Sequence, residues 1–472
     1  MNILRAMSDP DVFGEAFRPS RDGADTWRAW RVFLTCLFGL PLDADAAELV
    51  KHHTGRSDLP NAGGFSEACI VCGRRGGKSR ILSLIGLFLA VFVDHSDRLA
   101  PGEKAVVAVI AADRRQARNI LAFTLGLLRS VPALEAMIVS ETQDSVTLSN
   151  NVTVEVFSAS FRLTRGTSLI AALMDEAAYM RDDVTSANPA AEIITALRPG
   201  LANLNGMLLI ASSPYSRRGA LWDSYRASWG IEGARVLCWK ASTLEMNPAL
   251  PAHIVEAAYL ADPANAAAEF GGEFRTDIAS FVDRTVVEAA IVPDRFELPP
   301  LHGVTYTAFC DPSGGSADSY AIAIAHREGD VGVLDCIRER KPPFSPEAVT
   351  EEFADLLKQY RIHKVTGDRY AGEFPRELFS KRQITYVLSD RPKSDIMRDC
   401  LPLLNSRRLE LLDNRVLTAQ LISLERRTAR SGRDSIDHAP GGHDDVAVSA
   451  MGALLAVTAK PSVGELWTRL AG

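Results

Sequence analysis

Apolar positions along the chain recur at two different spacings. Residues 25–39 carry apolar side chains every three or four positions, including Trp27 and Trp30, which predicts an amphipathic helix that begins near Asp25. Between residues 66 and 275, short apolar runs alternate with helix-length segments. The apolar runs are Ala68–Cys72, Ala105–Ala111, Leu169–Met174 and Met207–Ala211. This alternation predicts βα units joined in a mostly parallel sheet.

The periodicity breaks at residues 276–303, where Pro293, Pro299 and Pro300 interrupt it, and a linker is predicted there. The second half then begins with a strand, Thr305–Cys310. Further on, the predicted elements are strands 320–326 and 331–337, a helix at 346–360, and strands 362–366 and 384–388. A β-meander followed by alternating helices and strands is typical of an RNase H-like domain, although other α/β folds share this order. The predicted organisation is domain 1–275 with a helical segment 1–65, linker 276–303, domain 304–460 and tail 461–472.

Composition narrows the class of protein. The chain has 472 residues, 47% of them hydrophobic and 24% charged, which is ordinary for globular domains and excludes a disordered or fibrous chain. Its 52 basic and 59 acidic side chains give a net charge of −7, which argues against a passive coat on nucleic acid. Seven scattered cysteines favour a reducing compartment, and the longest apolar run, 81–93, is too short to span a bilayer. We expect a cytosolic protein without a membrane partner.

Residues 72–79 fit the phosphate-binding loop pattern G-x-x-x-x-G-K-[ST], except that Cys72 replaces the first glycine. An apolar strand precedes the loop and an apolar helix follows it, which makes a plain Gly/Arg-rich surface turn the weaker interpretation. In such loops the lysine, here Lys78, reaches the β- and γ-phosphates of ATP, and the hydroxyl of Ser79 binds Mg²⁺. The residues that let backbone N–H groups surround the phosphates are Gly73, Gly76 and Gly77.

A second apolar strand ends in Asp175-Glu176. This arrangement would supply a carboxylate for Mg²⁺ from Asp175 and a base for the attacking water from Glu176. Ser212-Ser213-Pro214 follows the next strand, where hydroxyl groups would contact phosphate, although an ordinary turn explains that pattern as well. Three arginines are candidates for stabilising transition-state charge, namely Arg74, Arg75 and Arg165.

In the second half, acids stand at the ends of predicted elements. Asp311 ends one strand, Asp368 follows another, and Asp444-Asp445 opens a helix at 445–457. Acids that converge from distant segments hold the two Mg²⁺ or Mn²⁺ ions of two-metal nucleases. Each acid alone would pass for a turn residue or a helix N-cap. Weaker candidates are Asp318 and His443, and basic clusters at 338–341, 391–393, 407–408 and 426–433 are either DNA contacts or a solvated face.

Taken together, these motifs resemble those of the large terminase subunit of tailed bacteriophages. The resemblance rests on Gly73-Arg74-Arg75-Gly76-Gly77-Lys78-Ser79, Met174-Asp175-Glu176-Ala177, Ser212-Ser213-Pro214, Asp311-Pro312 with Asp318-Ser319, Gly367-Asp368-Arg369-Tyr370 and His443-Asp444-Asp445-Val446-Ala447. It covers residues 25–460 and implies an additional-strand P-loop ATPase followed by an RNase H-like nuclease. By the same resemblance, Arg74 or Arg75 would be the family's loop arginine, and Arg165 would lie near its subunit-crossing arginine.

The resemblance further implies a DNA-packaging motor that uses ATP and Mg²⁺ to drive double-stranded DNA into a procapsid, and a nuclease with two Mg²⁺ or Mn²⁺ ions. Its expected partners are double-stranded DNA, the portal protein of the procapsid, a small terminase subunit, and further copies of the chain in a ring. The expected location is the host bacterial cytoplasm, with transient docking on procapsids. Two alternatives stay open: a P-loop helicase-nuclease of repair or restriction, and a non-catalytic capsid-associated or DNA-binding module with degenerate motifs.

Overall fold

The structure of the protein is a computed structural model. It describes residues 1–20, 23–59, 63–157, 167–180, 189–316, 318–368, 374–428, 434–439 and 442–458. The chain divides into two compact units. The described residues up to Thr276 form unit 1, and those from Asp277 onward form unit 2.

Unit 1 is built around one eight-stranded sheet. Its strands are β1 (Glu67–Cys72), β2 (Ala105–Ala111), β3 (Ile138–Glu141), β4 (Ser145–Leu148), β5 (Val152–Phe157), β6 (Ser168–Asp175), β7 (Met207–Ser212) and β8 (Val236–Ala241). Its helices are α1 (Ile3–Ser8), α2 (Arg28–Leu37), α3 (Ala44–Thr54), α4 (Lys78–Phe92), α5 (Arg114–Arg129), α6 (Pro132–Glu135), α7 (Pro189–Ala202), α8 (Gly219–Ser228), α9 (Thr243–Met246), α10 (Ala252–Ala261) and α11 (Pro263–Glu269), with short 3₁₀ helices at Ser96–Arg98 and Ala177–Tyr179.

The strand order is β3-β4-β5-β2-β6-β7-β1-β8. From β5 to β8 all neighbours are parallel, whereas β3 and β4 form an antiparallel extension at one edge. Strand β7 therefore lies between β1, which precedes the glycine-rich loop, and β6, which ends in Asp175. This confirms the predicted parallel α/β sheet with an additional strand between these two elements. The antiparallel edge was not predicted.

Both faces of the unit 1 sheet are covered. Alternate residues of β2 enter two separate apolar clusters, with Val107 and Val109 on one side and Val106 and Ala108 on the other. Helices α4 and α5 contribute to the first cluster and α7 and α8 to the second. Burial on both faces explains why these strands are continuous apolar runs rather than alternating ones.

Unit 2 contains a six-stranded sheet and a three-stranded one. Its strands are β9 (Ile278–Ser280), β10 (Tyr306–Asp311), β11 (Tyr320–Glu328), β12 (Val331–Arg340), β13 (Lys364–Gly367), β14 (Thr385–Leu388), β15 (Leu409–Glu410), β16 (Leu424–Thr428) and β17 (Asp434–His438). Its helices are α12 (Arg284–Ala290), α13 (Pro346–Gln359), α14 (Phe374–Lys381), α15 (Lys393–Asn405), α16 (Arg415–Ser423) and α17 (Asp445–Thr458).

The larger sheet has the order β14-β13-β10-β11-β12-β15. Strands β10, β11 and β12 form an antiparallel meander, and β13 and β14 continue it in parallel on the β10 side. This confirms the predicted RNase H-like order. Helix α17 packs against the meander strands. The hairpin β16-β17, to which β9 adds a third strand, was not predicted.

The prediction of a linker at 276–303 is wrong for its first part. Strand β9 and helix α12 lie inside that range, and Phe281, Val282 and Val287 are buried in the core of unit 2. The prolines that suggested a linker all lie after α12, so they mark an irregular segment within unit 2. None of the helices among the described residues is long and apolar enough to cross a membrane.

Candidate functional sites

The glycine-rich loop joins β1 to α4 at the carboxyl edge of the unit 1 sheet. Gly77 is the N-cap residue of α4 and has a φ of 97°, a conformation that side chains disfavour. A Cβ atom on Gly76 would collide with Cys72 Sγ. The cysteine that replaces the first glycine of the pattern is therefore accommodated because Gly76 leaves room for its sulfur.

Lys78 is buried at the start of α4. Its Nζ donates to the carbonyl oxygens of Cys72 and Gly73, at 2.9 and 3.2 Å, and to Ser213 Oγ at 3.2 Å. The lysine thus connects the loop to the end of β7. This contact supports a role for Ser213, for which the sequence pattern was ambiguous.

The side chains of Ser79 and Asp175 are in contact at the carboxyl edge of the sheet. Ser79 Oγ donates to Asp175 Oδ2 at 2.6 Å. Burial raises the pKa of Asp175, and the hydrogen bond from Ser79 and the charge of Lys78 oppose that rise. A hydroxyl and a carboxylate oxygen at this separation are the hard donor atoms that Mg²⁺ prefers, so these two residues fit the predicted ion.

Glu176 follows β6 in the left-handed conformation, with a φ of 52°. Burial raises the pKa of Glu176, and Asp175 adds to that rise, whereas Lys78 opposes it. Ser212 Oγ lies 3.2 Å from Glu176 Oε2. The unusual backbone and the serine contact hold the Glu176 carboxyl group beside Lys78, as a base that orients water requires.

Residues outside the motifs hold the loop in place. Trp30 is fully buried and its Nε1 donates to Gly76 O at 2.7 Å. Thr243 Oγ1 donates to Arg74 O at 2.8 Å, and Asn247 Nδ2 donates to Arg75 O at 2.9 Å. The sequence pattern indicates no more than a core position for Trp30, and no motif singles out the other two. The one feature of the sequence that could have indicated α9 is the spacing of Ser242 and Glu245, which form a capping box at its start.

The candidate arginines differ in their surroundings. Arg74 Nη1 pairs with Glu269 Oε2 at 3.3 Å, and Tyr179 donates to the other oxygen of the same carboxylate at 3.3 Å. Arg75 is exposed and has a φ of 65°. Arg165 lies outside the described residues, so its predicted role stays a prediction.

In unit 2, three elements bring the predicted acids together. Asp311 ends β10, Asp368 directly follows the neighbouring parallel strand β13, and Asp444 and Asp445 stand at the start of α17. Burial raises the pKa of Asp311 well above its usual value, and the charges of Asp445, Asp368 and Asp444 raise it further. The charges of the other three acids thus reach Asp311, which indicates that the four carboxylates lie near one another.

Asp444 and Asp445 have different partners. Asp444 Oδ2 accepts a hydrogen bond from Lys393 Nζ at 3.0 Å. Asp445 Oδ2 is buried without a hydrogen-bond partner, and burial together with Asp444 raises the pKa of Asp445 to about 7. A buried carboxylate oxygen without a donor is costly unless a cation binds it. Asp445 is thus the member of the pair that fits a metal ion.

Lys393 and Asp437 were not identified from the sequence. Lys393 Nζ also donates to Asp437 Oδ1 at 2.7 Å, so its ammonium group bridges Asp437 and Asp444. The ligand atoms of Asp437, His438 and Asp444 lie within 4.8 Å of one another. These residues come from α15, β17 and the start of α17, and no local pattern in the sequence relates them.

The weaker candidates lie at the rim of this site. His443 Nδ1 is 3.8 Å from both Asp318 Oδ1 and Asp445 Oδ2, and the Asp318 side chain is 68% exposed. Asp311, Asp368 and Asp445 do not form a group with ligand atoms within 4.8 Å, as judged over the described residues.

Three of the four basic clusters of unit 2 contain ion pairs in the described part of the chain. Arg338 pairs with Glu297 at 2.9 Å, Arg391 with Asp399 at 2.6 Å, and Arg426 with Asp434. Residues 429–433 lie outside the described part. The ion pairs favour the interpretation of a solvated face at Arg338, Arg391 and Arg426, whereas Lys393 belongs to the acid site described above. A contact of these clusters with DNA stays a prediction.

The chain is similar in fold to several solved structures. The HK97 bacteriophage large terminase is 18% identical, with 90% of this chain and 99% of that chain covered and a TM-score of 0.38. A large terminase from a thermophilic bacteriophage, in complex with ATP-γ-S, is 11% identical, with 91% and 98% covered and a TM-score of 0.38. The large terminase nuclease from thermophilic phage G20c with bound magnesium is 14% identical, with 36% and 94% covered and a TM-score of 0.32.

No protein-family model matches the chain, and a search of the curated proteins finds no match. The three solved structures are large terminases or a large terminase nuclease, the family that the motifs resemble. Similarity at TM-scores below 0.5 carries no argument about function. A functional assignment therefore rests on the geometry of the two sites.

Proposed function

We propose that this chain is a large terminase subunit, with an ATPase in unit 1 and a metal-dependent DNA endonuclease in unit 2. The observation that carries the proposal is the pair of sites in one chain. Lys78 and Ser79 meet Asp175 and Glu176 at one sheet edge, and an acid cluster around Asp311 stands on an RNase H-like sheet.

In the proposed ATPase, backbone N–H groups of the loop and the Lys78 ammonium bind the phosphates of ATP. Ser79 and Asp175 would hold Mg²⁺, which neutralises developing negative charge on the phosphates when it is bound. Glu176 orients the attacking water and accepts its proton, and the contact with Ser212 keeps the Glu176 carboxyl group in place. Ser213 contacts Lys78 and thereby couples the end of β7 to the phosphates.

In the proposed nuclease, Asp311, Asp368 and Asp445 would hold two Mg²⁺ or Mn²⁺ ions. Such ions, when bound, activate water and stabilise the leaving 3′ oxygen of a phosphodiester. Lys393 pairs with both Asp444 and Asp437, and its single positive charge offsets part of the negative charge of these two carboxylates. The pairing of Asp444 with Lys393 supports our proposal that Asp445 rather than Asp444 binds the metal.

The whole-protein function that we propose is ATP-driven movement of double-stranded DNA into a procapsid and cutting of concatemeric DNA. It would take place in the host bacterial cytoplasm, with a ring of subunits docked on the portal protein and a small terminase subunit selecting the start site. The net charge of −7 suits a motor that grips phosphates locally and releases them again.

The ATPase is tested with Glu176→Gln, measured as phosphate release from ATP with Mg²⁺. We expect hydrolysis to be abolished while ATP binding is retained, because the amide keeps the shape of the side chain but cannot accept a proton. Cleavage of plasmid DNA with Mn²⁺ should continue in this variant and serves as its control. Unchanged ATP hydrolysis would exclude Glu176 as the base.

The nuclease is tested by comparing Asp445→Asn with Asp444→Asn in plasmid cleavage with Mn²⁺. Asp445→Asn should abolish cleavage, as should Asp311→Ala or Asp368→Ala, whereas Asp444→Asn should retain measurable cleavage. ATP hydrolysis should survive in all four variants and controls for their folding. Full cleavage by Asp445→Asn would show that the wrong acid was assigned.

The alternative of a helicase-nuclease loses support from unit 2, because its β-meander takes the place in the chain where a second RecA-like domain would stand. Strand separation of a forked duplex in the presence of ATP distinguishes the two functions. A terminase should translocate on intact duplex without releasing a single strand.

A further inference from the structure

Unit 1 contains a histidine and glutamate cluster that the proposed ATPase does not use. His52 and His53 lie in the last turn of α3, and Glu245 lies in α9. One potential ligand atom from each of these three residues lies within 4.8 Å of the other two. His52 Nε2 and Glu245 Oε1 are 2.7 Å apart, so the cluster joins two helices that are distant in sequence.

His53 is held in a form that suits metal binding. It is 1% exposed, it stacks on Trp239, and its Nδ1 is 2.9 Å from the carbonyl oxygen of Lys240. Nδ1 therefore carries the proton that is donated to this carbonyl, and the Nε2 lone pair is available to a ligand bond. A histidine whose second nitrogen is fixed by a backbone carbonyl is the usual arrangement around bound metal ions. Burial also lowers the pKa of His53, which keeps the ring neutral.

The two carboxylate oxygens of Glu245 have different partners. Oε2 accepts the Ser242 backbone N–H at 2.6 Å in the capping box of α9, and Oε1 faces His52. Although burial raises the pKa of Glu245, the hydrogen bonds from Ser242 and His52 lower it by more, so the group is a carboxylate. Oε2 thus anchors the side chain, whereas Oε1 accepts from His52 Nε2–H, and a metal ion that binds both atoms would release that proton, as metal binding to histidine does.

The surroundings of Glu245 include a cavity. Glu245 lines this cavity of about 510 Å³ together with three further acids, Asp25, Asp45 and Glu48, whereas Arg28 is the basic residue in its lining. Each of these three acids pairs with a base, Asp25 with Arg31, Asp45 with Arg28 and Glu48 with Lys51, so they offset little further positive charge. Glu245 is the member of the cluster that lines this cavity, and an ion would reach the cluster from that side.

We propose that His52, His53 and Glu245 bind a divalent transition-metal ion, Zn²⁺ by its chemistry, which clamps α3 to α9. Two imidazole nitrogens and one carboxylate oxygen are a common zinc ligand set, with water in the fourth position. Mg²⁺ and Ca²⁺ prefer sites made of oxygen atoms alone, so this site selects against the ions of the two proposed catalytic sites.

Helix α9 connects the proposed metal site to the glycine-rich loop. Thr243 and Asn247, which flank Glu245, donate hydrogen bonds to the carbonyl oxygens of Arg74 and Arg75 in the glycine-rich loop. An ion that fixes α9 against α3 therefore stabilises the segment that supports the loop. We expect Zn²⁺ binding to raise the temperature at which unit 1 unfolds.

The test uses the full chain, freed of metal with a chelator and kept in excess Mg²⁺ to occupy oxygen-ligand sites. Titration calorimetry with Zn²⁺ should detect one bound ion per chain that Glu245→Gln and His52→Ala lack. Glu245→Gln is the sharper variant because glutamine maintains the capping box but is a poor zinc ligand. The control is His253→Ala, which removes another exposed histidine of unit 1 and should bind Zn²⁺ as the unaltered protein does.

Two further readouts separate this site from the nuclease. Co²⁺ bound in place of Zn²⁺ should give the visible absorption bands that are typical of four-coordinate Co²⁺ with histidine ligands. These bands should be absent in Glu245→Gln. Zn²⁺ should raise the unfolding temperature of the unaltered chain and of His253→Ala, but not that of Glu245→Gln. The proposal is overturned if the unaltered chain binds no Zn²⁺ in excess Mg²⁺, or if Glu245→Gln and His52→Ala bind it as tightly as the unaltered chain does.

Discussion

Cys72 and Gly76 offer a direct test of how the glycine-rich loop accommodates a cysteine at its first position. Gly76→Ala would place a Cβ in collision with Cys72 Sγ. After Cys72→Ala, the nearest remaining atoms to that Cβ are Gly73 O at 3.0 Å and Met246 Cβ at 3.5 Å. Gly76 does not have a positive φ, so alanine is compatible with its backbone and the collision is the main cost.

The magnitude follows from these contacts. Forcing extra volume into a packed site costs about 1–3 kcal/mol, whereas a swap that conserves volume usually costs less than about 1.5 kcal/mol. Gly76→Ala should therefore be more harmful alone than in the Cys72→Ala background. We expect a coupling free energy of about 1–2 kcal/mol, within the range for residues in contact. For a unit of this size, each kcal/mol corresponds to about 2–4 °C in unfolding temperature.

The assay is thermal unfolding of the full chain followed by tryptophan fluorescence. Five of the six tryptophans, namely Trp27, Trp30, Trp222, Trp229 and Trp239, belong to unit 1, so the signal reports chiefly on that unit. The four proteins of the cycle are measured side by side, with ATP affinity as a second readout. Equal destabilisation by Gly76→Ala in both backgrounds would refute the idea that the missing side chain of Gly76 makes room for the cysteine.

Three further predictions concern single residues. Trp30→Phe removes the buried hydrogen bond to Gly76 O but keeps the aromatic packing. It should therefore lower the free energy of unfolding by about 0.5–1.5 kcal/mol and raise KM for ATP, which unfolding curves and ATPase kinetics measure. Lys393→Met should release Asp444 and lower the rate of plasmid cleavage at least about tenfold while ATP hydrolysis is unchanged, and an unaffected cleavage rate would contradict the bridging role. Because burial raises the pKa of Glu176, the acid limb of the ATPase pH profile should fall through a midpoint above the usual value of 4.5, since protonation removes the base; a midpoint at or below 4.5 would contradict this.

The sequence was sufficient for the elements whose signal is local. Strand β2 was predicted at its observed bounds, because a run buried on both faces is continuously apolar. Helix α13 was predicted to within one residue, since Ser345 caps it and Pro346 begins it. Short or half-exposed strands such as β3 and β16 were missed, because their pairing partners rather than their own pattern make them strands.

The candidate sites likewise contain residues that the sequence predicts and residues that only the folded structure reveals. Motif spacing predicted Lys78, Ser79, Asp175 and Glu176 as one site, because phosphate and Mg²⁺ binding require these residue types next to a strand end, and the structure brings the four together. The motifs did not show that Trp30 supports the glycine-rich loop. A tryptophan gives an amphipathic helix the same spacing of apolar residues whether or not its indole N–H has a hydrogen-bond partner. The sequence pattern also placed a linker across β9 and α12, whose apolar residues become a core only when unit 2 packs around them.

What the sequence by itself determined was therefore the order of the candidate groups along the chain: a glycine-rich loop with Lys78 and Ser79, a strand ending in two acids, and a later set of strand-end acids. Only the tertiary structure decided which of Asp444 and Asp445 is neutralised by Lys393 and which has a buried oxygen free for a cation. It also brought His52 and His53 to Glu245 across almost two hundred residues of sequence. The physical reason is that a carboxylate's role depends on its neighbours in space, and those neighbours come from elements that no local pattern connects.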